Sequence, residues 1–159
     1  MKKALSLLLA LVLCLSLCAC AVQNGSGSNS PATITDLSGN TVEMTAKELS
    51  DIYEENSAKF NKMYNGATIT GVGTVDKVEN LLDTFGNTRV MIYKITMAEG
   101  WELTVLEAGH DEVINLSKGD SIRFTSCIKS AWAGKVSMFD VSGYNASTMT
   151  DASVIEIIG

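Results

Sequence analysis

The side chains best able to perform chemistry are one histidine and four cysteines. A catalytic thiol needs a nearby base such as imidazole, but nothing in the sequence places His110 beside Cys127. We therefore expect Cys127 to be a small buried residue in a strand, as free cysteines commonly are. His110, Asp111 and Glu112 could each bind a metal, but adjacent side chains point in different directions. A solvated loop is the expected outcome there.

Short catalytic and phosphate-binding motifs are absent from the sequence. It contains no Cys-x-x-Cys, Gly-x-Ser-x-Gly or His-Glu-x-x-His and no phosphate-binding glycine loop. Paired acids such as Glu54 and Glu55 are expected on a solvated helix surface. The sequence therefore predicts a protein that is not an enzyme and that holds neither a metal nor another cofactor.

The N-terminal segment has the pattern of a secretory signal. Lys2 and Lys3 precede an uncharged, leucine-rich run over residues 4–19, which is short for a membrane span of about 20 residues. Leu17-Cys18-Ala19-Cys20 resembles the cleavage site of bacterial lipoproteins, which implies removal of residues 1–19 and a lipid on Cys20. An ordinary secretory signal or an uncleaved anchor is the alternative. The expected location is the extracytoplasmic face of a bacterial membrane.

Cleavage before Cys20 would change the chemistry of the chain. The mature protein would have 140 residues, and loss of Lys2 and Lys3 would move its formal net charge from −6 to about −8. One domain is expected at this length. Cys127 would be the one unmodified cysteine, so no internal disulfide is predicted. An acidic chain is a poor partner for nucleic acid, since phosphate binding depends on lysine and arginine.

The mature chain divides into a linker, a domain and a tail. Residues 20–33 are rich in Gly, Ser and Asn and indicate a flexible tether. Residues 34–145 form the predicted domain, which begins with a hairpin around Ser38-Gly39-Asn40. Residues 146–159 form a C-terminal strand or tail, expected to dock on its own domain, although a free strand edge could instead recruit a partner chain.

One N-terminal helix and five strands are predicted within the domain. Thr45 and Glu48 fit a capping box, and an apolar stripe runs to Tyr64 with Asn56 as its interruption. We expect the Asn56 amide to bond the next strand. Turn signals then separate five strands, which indicates a small, mainly β barrel closed by the helix. The predicted strands are Ala67 to about Val78 with a bulge or bend at Gly71 and Gly73, Thr88 to Met97, Trp101 to Glu107, Ser121 to about Lys129, and Lys135 to Val141.

Two segments resemble a known family. The series Leu49, Tyr53, Asn56, Ala58 and Tyr64-Asn65-Gly66, followed by Gly71-Val72-Gly73, is similar to the bacterial tRNA-anticodon-binding-like OB-fold family. Leu116-Ser117-Lys118-Gly119-Asp120 resembles a turn of the same family, and the similarity covers about residues 46–142. The resemblance implies a five-stranded OB barrel. It implies no activity, because a fold does not carry function.

OB geometry suggests where a ligand would bind. Such barrels bind on strands two and three, between flanking loops, which implicates Arg89, Tyr93, Lys94 and Trp101. Trp132 and Lys135 add an aromatic and basic cluster of the kind that holds bases or sugars. Tyr93 and Trp101 could instead belong to the core, and Trp132 could be a simple rim residue.

These observations favour a lipid-anchored, non-catalytic binding or interaction module. Its expected partners are the membrane, through Cys20, and a protein, a small molecule or a cell-wall saccharide. A surface domain that binds nucleic acid or oligosaccharide is the alternative, with nucleic acid disfavoured by the acidic charge.

Overall fold

A computed structural model describes residues 30–85, 88–143 and 148–158. The predicted signal at 1–19 and Cys20 lie outside the described residues, as does most of the linker. The described part is mainly β with two α-helices, which confirms the prediction of a mainly β fold but corrects the prediction of a single helix. Within that part, no helix is both long and apolar enough to span a membrane.

The predicted N-terminal hairpin is present. Strand β1, Ala32–Thr35, pairs antiparallel with β2, Thr41–Met44. The Asp36 carboxylate accepts hydrogen bonds from the backbone N–H groups of Ser38 and Asn40, at 2.8 and 2.9 Å, and so fixes the turn. Strand β1 starts at Ala32, so the last two residues of the predicted linker belong to the sheet.

Asn56 divides the predicted helix into two. Helix α1, Ala46–Glu55, starts with the expected capping box between Thr45 and Glu48, and α2 spans Ser57–Met63. Asn56 has an extended backbone, and its Oδ1 accepts the Lys59 N–H at 2.9 Å. The prediction that its amide bonds a strand is therefore wrong. Asparagine instead ends one helix and caps the next, because its short side chain competes for backbone hydrogen bonds.

Eight further strands follow the helices. They are β3 Thr68–Phe85, β4 Thr88–Met97, β5 Trp101–Leu106, β6 Ser121–Trp132, β7 Lys135–Met138, β8 Val141–Ser142, β9 Thr150–Asp151 and β10 Val154–Ile157. A 3₁₀ helix lies at Asp111–Asn115, between β5 and β6.

Five of these strands form a closed ring. Strand β3 pairs with β4, β4 with β5, β5 with β7, β7 with β6, and β6 with β3 again. Every pairing is antiparallel except β5 with β7, which is parallel. The predicted C-terminal strand docks on its own domain, where β10 pairs with the outer edge of β6.

Strand β3 differs from its prediction in length and in the place of its irregularity. It continues to Phe85, and its register shift lies between Val75 and Lys77 rather than at the two glycines. Gly71 serves a close approach instead: a Cβ atom there would stand 2.8 Å from Phe124 Cζ and 2.9 Å from Ala32 Cβ. Glycine within a strand marks either a bulge or a close approach of neighbouring groups, and at Gly71 it marks a close approach.

The core fills the ring and the space under the helices. Trp101, Phe60 and Phe124 are its largest fully buried side chains. Glu54 is exposed, as predicted, and its Oε1 accepts the Ala133 N–H at 2.9 Å. Ser50 Oγ accepts the Gly134 N–H at 2.8 Å. Helix α1 is thereby tied to the turn between β6 and β7.

Candidate functional site

A polar face covers the outer side of β4, β5, β7 and the end of β6. Residues paired directly across neighbouring strands share a face, and the register pairs Lys94 with Thr104, Thr96 with Glu102, and Glu102 with Ser137. Intervening residues such as Leu103 and Val136 are fully buried. We define the polar face by its members: Lys94, Thr96, Glu102, Thr104, Ser130, Trp132, Lys135 and Ser137.

Glu102 lies at the centre of the polar face and holds a lysine on each side. Lys135 Nζ lies 2.7 Å from Glu102 Oε1, and Lys94 Nζ lies 3.3 Å from Oε2. The carboxylate side chain is 11% exposed, whereas the lysines are 55% and 35% exposed. The one carboxylate contacts both lysines but balances only one of their two positive charges, which leaves the network with a net charge of +1.

The charge state of Glu102 follows from two opposed effects. Burial acts to raise the pKa of Glu102, because an ionised carboxylate loses its hydration. Hydrogen bonds from Lys135 and Lys94, together with their positive charges, outweigh that effect and hold the pKa below its usual value. The carboxylate is therefore ionised at neutral pH and remains a hydrogen-bond acceptor.

Trp132 stands at the edge of the polar face. It is 73% exposed and pairs across the β6–β7 hairpin with Lys135. The two-residue turn between them has positive φ at both positions, 51° at Ala133 and 75° at Gly134, as a type I′ hairpin requires. Because α1 holds that turn through Ser50 and Glu54, the indole projects from an anchored backbone.

The structure brings some of the predicted ligand residues together and separates the others. Trp132 and Lys135 are neighbours on the polar face. Arg89 is exposed near the tip of the β3–β4 hairpin. It is five residues from Lys94 along β4, so it lies on the opposite face of the strand and roughly 16 Å away.

Trp101 and Tyr93 are core residues, which is the alternative that the sequence left open for both. Trp101 is fully buried against Phe124, and its Nε1 has no hydrogen-bond partner among the described residues. Tyr93 is 6% exposed, and its hydroxyl donates to Glu107 Oε1 at 3.4 Å. Burial and the neighbouring Glu107 carboxylate raise the pKa of Tyr93. Both rings point inward because they share the alternation of the apolar residues around them.

Glu102 is the functional candidate that the sequence prediction missed. It stood in the sequence as an ordinary polar residue on the solvent side of a strand. The sequence shows only that Glu102 alternates with the apolar residues Trp101 and Leu103. Strand pairing is what places Glu102 on the same side of the sheet as Lys94 and Lys135. The pairing of β5 with β7 is not adjacent in sequence, so the signal was incomplete without the topology.

His110 is buried, and the prediction of a solvated loop is wrong. Its ring is 8% exposed, with Nδ1 2.9 Å from Glu112 Oε1 and Nε2 3.5 Å from Asp151 Oδ2. Asp151 comes from the C-terminal segment, which the sequence alone could not bring to this loop. Each ring nitrogen therefore faces a carboxylate. Among the described residues no cluster of three or more His, Cys, Asp or Glu is arranged to hold a metal.

Cys127 lies in β6 and is half-buried, close to its predicted environment. Burial raises the pKa of the Cys127 thiol, and a hydrogen bond with Asp140 adds to that shift. A raised pKa keeps the thiol protonated at neutral pH, which lowers its nucleophilicity.

Comparison with known proteins identifies the family. Neither the curated proteins nor the solved structures include a significant match to this chain. The tRNA_anti-like family, in contrast, matches over residues 1–133. Since this match covers most of the 159 residues, the chain belongs to the tRNA_anti-like family.

Proposed function

We propose that the protein is a lipid-anchored, extracytoplasmic OB-fold module that binds an oligosaccharide on the polar face without transforming it. The ring of β3, β4, β5, β7 and β6, with its single parallel pairing, supports the finer assignment of an OB barrel. In that assignment β4 and β5 are the second and third barrel strands. Their outer face is where OB barrels bind oligonucleotides and oligosaccharides.

The network of Lys94, Glu102 and Lys135 is the observation that carries the choice of ligand. Both lysines bond Glu102, so the face presents fixed donors and acceptors with a net charge of only +1 from this network. Sugar hydroxyls both donate and accept hydrogen bonds, and the rigid, exposed ring of Trp132 offers a stacking surface. A phosphate backbone is bound by several uncompensated lysines and arginines, whereas this network offers a single net positive charge, which favours a saccharide over nucleic acid.

Two further observations support a binding role without catalysis. The nitrogens of His110 both face carboxylates, which leaves neither aimed at a nucleophile. The Cys127 thiol is held in its protonated form. We extend the proposal to the location of the protein. Cys20 carries the lipid, and residues 21–31 tether the domain to the outer surface of the membrane.

Co-sedimentation with purified peptidoglycan sacculi tests the proposed ligand class. The full chain in detergent should be retained, and Trp132→Ala should weaken retention about tenfold, because one aromatic stacking contact contributes ~1–3 kcal/mol. Leu37→Ala is the matched control, since Leu37 is also a large exposed apolar residue, at 58%. Equal retention of wild type and Trp132→Ala would overturn the proposed site. Preferential binding of oligo-dT would overturn the ligand class.

Metabolic labelling with a fatty-acid analogue tests the anchor separately. The wild-type chain should incorporate label and fractionate with membranes, and Cys20→Ala should lose both properties. Cys127→Ala should retain both, since its thiol lies within the folded domain. Label that persists in Cys20→Ala would refute the lipid assignment.

A further inference from the structure

A second candidate site lies away from the polar face, where the C-terminal segment meets the sheet. A cavity of about 320 Å³ is bounded by β4, by the end of β5 and by residues 149–151. Leu106, in its wall, is four residues along β5 from Glu102, or roughly 13 Å. The volume lies at the lower end of the ~300–1,000 Å³ found for small-molecule sites.

The cavity has apolar walls and an acidic end. Val90, Met91, Leu106 and Met149 supply apolar surface from both sides of the opening. The two methionines can adapt their shape to an occupant, because the thioether chain is flexible and polarisable. The acidic end is formed by Glu107 and Asp151, and none of the described residues lining the cavity carries a positive charge.

Both carboxylates are held in place by donors from the protein. Glu107 Oε1 accepts hydrogen bonds from Asn80 Nδ2 at 3.0 Å and from the Tyr93 hydroxyl at 3.4 Å. Asp151 Oδ2 accepts the Leu106 N–H at 2.7 Å, and its side chain is 3% exposed. His110 Nε2 lies 3.5 Å from that same Asp151 oxygen. Because Asp151 is shared in this way, Glu107 is the carboxylate most available to a ligand.

We infer that this cavity binds a small organic cation, an ammonium group on a compact apolar body. The apolar walls would receive the body. Glu107 would accept the ammonium N–H groups at Oε2, because its Oε1 already accepts from Asn80 and Tyr93. A charge-assisted hydrogen bond of this kind is stronger than a neutral one. A carboxylate-bearing analogue of the same shape would meet like charge and be excluded.

Methyl NMR of the full chain in detergent, with ¹³C-labelled methionine methyls, gives a readout resolved by site. Cyclohexylammonium should shift the Met91 and Met149 signals saturably, and the core methionines Met97 and Met138 should not respond. Cyclohexanol should bind about tenfold more weakly, since it lacks the charge. Cyclohexanecarboxylate should leave all four signals unchanged.

Two variants and a control complete the test. Glu107→Gln keeps an oxygen to accept from Asn80 and Tyr93, and should weaken cyclohexylammonium binding about tenfold with little effect on cyclohexanol. Ala108→Leu should weaken both by filling the cavity. Glu43→Gln, an exposed glutamate on β2, should change neither. Equal affinity for the three probes, wild-type affinity in Glu107→Gln, or no saturable shift at Met91 and Met149 would each overturn the inference.

Discussion

The substitution Glu102→Gln tests the electrostatic account of the polar face. It keeps the size of the side chain and one acceptor oxygen, but removes the charge between Lys94 and Lys135. Two charge-assisted hydrogen bonds would contribute about 1.5–3 kcal/mol each if fully desolvated. The lysines are 35% and 55% exposed, so solvent screening reduces that figure. We expect a loss of about 1–2 kcal/mol in the free energy of unfolding at neutral pH.

The pH dependence of this loss separates a charge effect from a packing effect. The pKa of Glu102 is lowered in the folded state, so its stabilisation is fully present above the unfolded pKa of about 4.3. It disappears as the pH falls through the lower folded value, because the carboxyl group is then protonated in both states. Wild type and Glu102→Gln should therefore differ at pH 7 and converge at low pH.

Urea unfolding at pH 7 and pH 3 is the assay. For a slope of ~1.5 kcal/mol/M, a loss of 1.5 kcal/mol lowers the midpoint by about 1 M at pH 7, with an unchanged slope. Asp51→Asn is the control, since it removes a carboxylate from the more exposed Lys47–Asp51 pair, and should shift the midpoint far less. The reasoning is refuted if Glu102→Gln shifts the midpoint equally at both pH values, or no more than the control does.

Substitutions at three further positions test the fold. Asn56→Ala should cost about 1 kcal/mol of unfolding free energy, measured by urea titration, because α2 loses its N-cap; an unchanged midpoint would contradict the two-helix description. Gly71→Ala should cost about 1–3 kcal/mol in the same assay, since its Cβ would crowd Phe124 and Ala32; a neutral effect would show that the core yields there. Trp101→Phe removes an unpartnered buried N–H as well as volume, so its thermal midpoint should fall less than that of Trp101→Ala, which creates the larger cavity.

Local signals predicted most of the elements. The capping box at Thr45 and the turn at Asn40 satisfy backbone groups within a few residues, so they are readable from sequence. Strand β4 runs from Thr88 to Met97, as alternation and flanking turns indicated. Asn56 was visible as an interruption of the apolar stripe. Its role as the N-cap of a second helix was not, because that role depends on the extended backbone that Asn56 adopts in the structure.

The candidate sites depended on contacts that are distant in sequence. Lys94, Glu102 and Lys135 meet because β5 pairs with β7 across a long connection. His110 is buried because Asp151 arrives from the C-terminal segment. Residue type alone favoured Trp101, whose position on the inner side of β5 decides against ligand contact. An aromatic residue alone does not show whether its side of the strand is buried or exposed; the strand pairing decides that.

Fluorescence titration of Trp132 tests the proposed oligosaccharide site most directly. Trp101 is fully buried, so a ligand that stacks on the polar face should change emission from Trp132 alone. A soluble peptidoglycan tetrasaccharide should produce a saturable change that is nearly the same at 50 and 200 mM salt, and Trp132→Phe should abolish most of it. A response to oligo-dT that weakens steeply with salt, with none to the saccharide, would contradict the account.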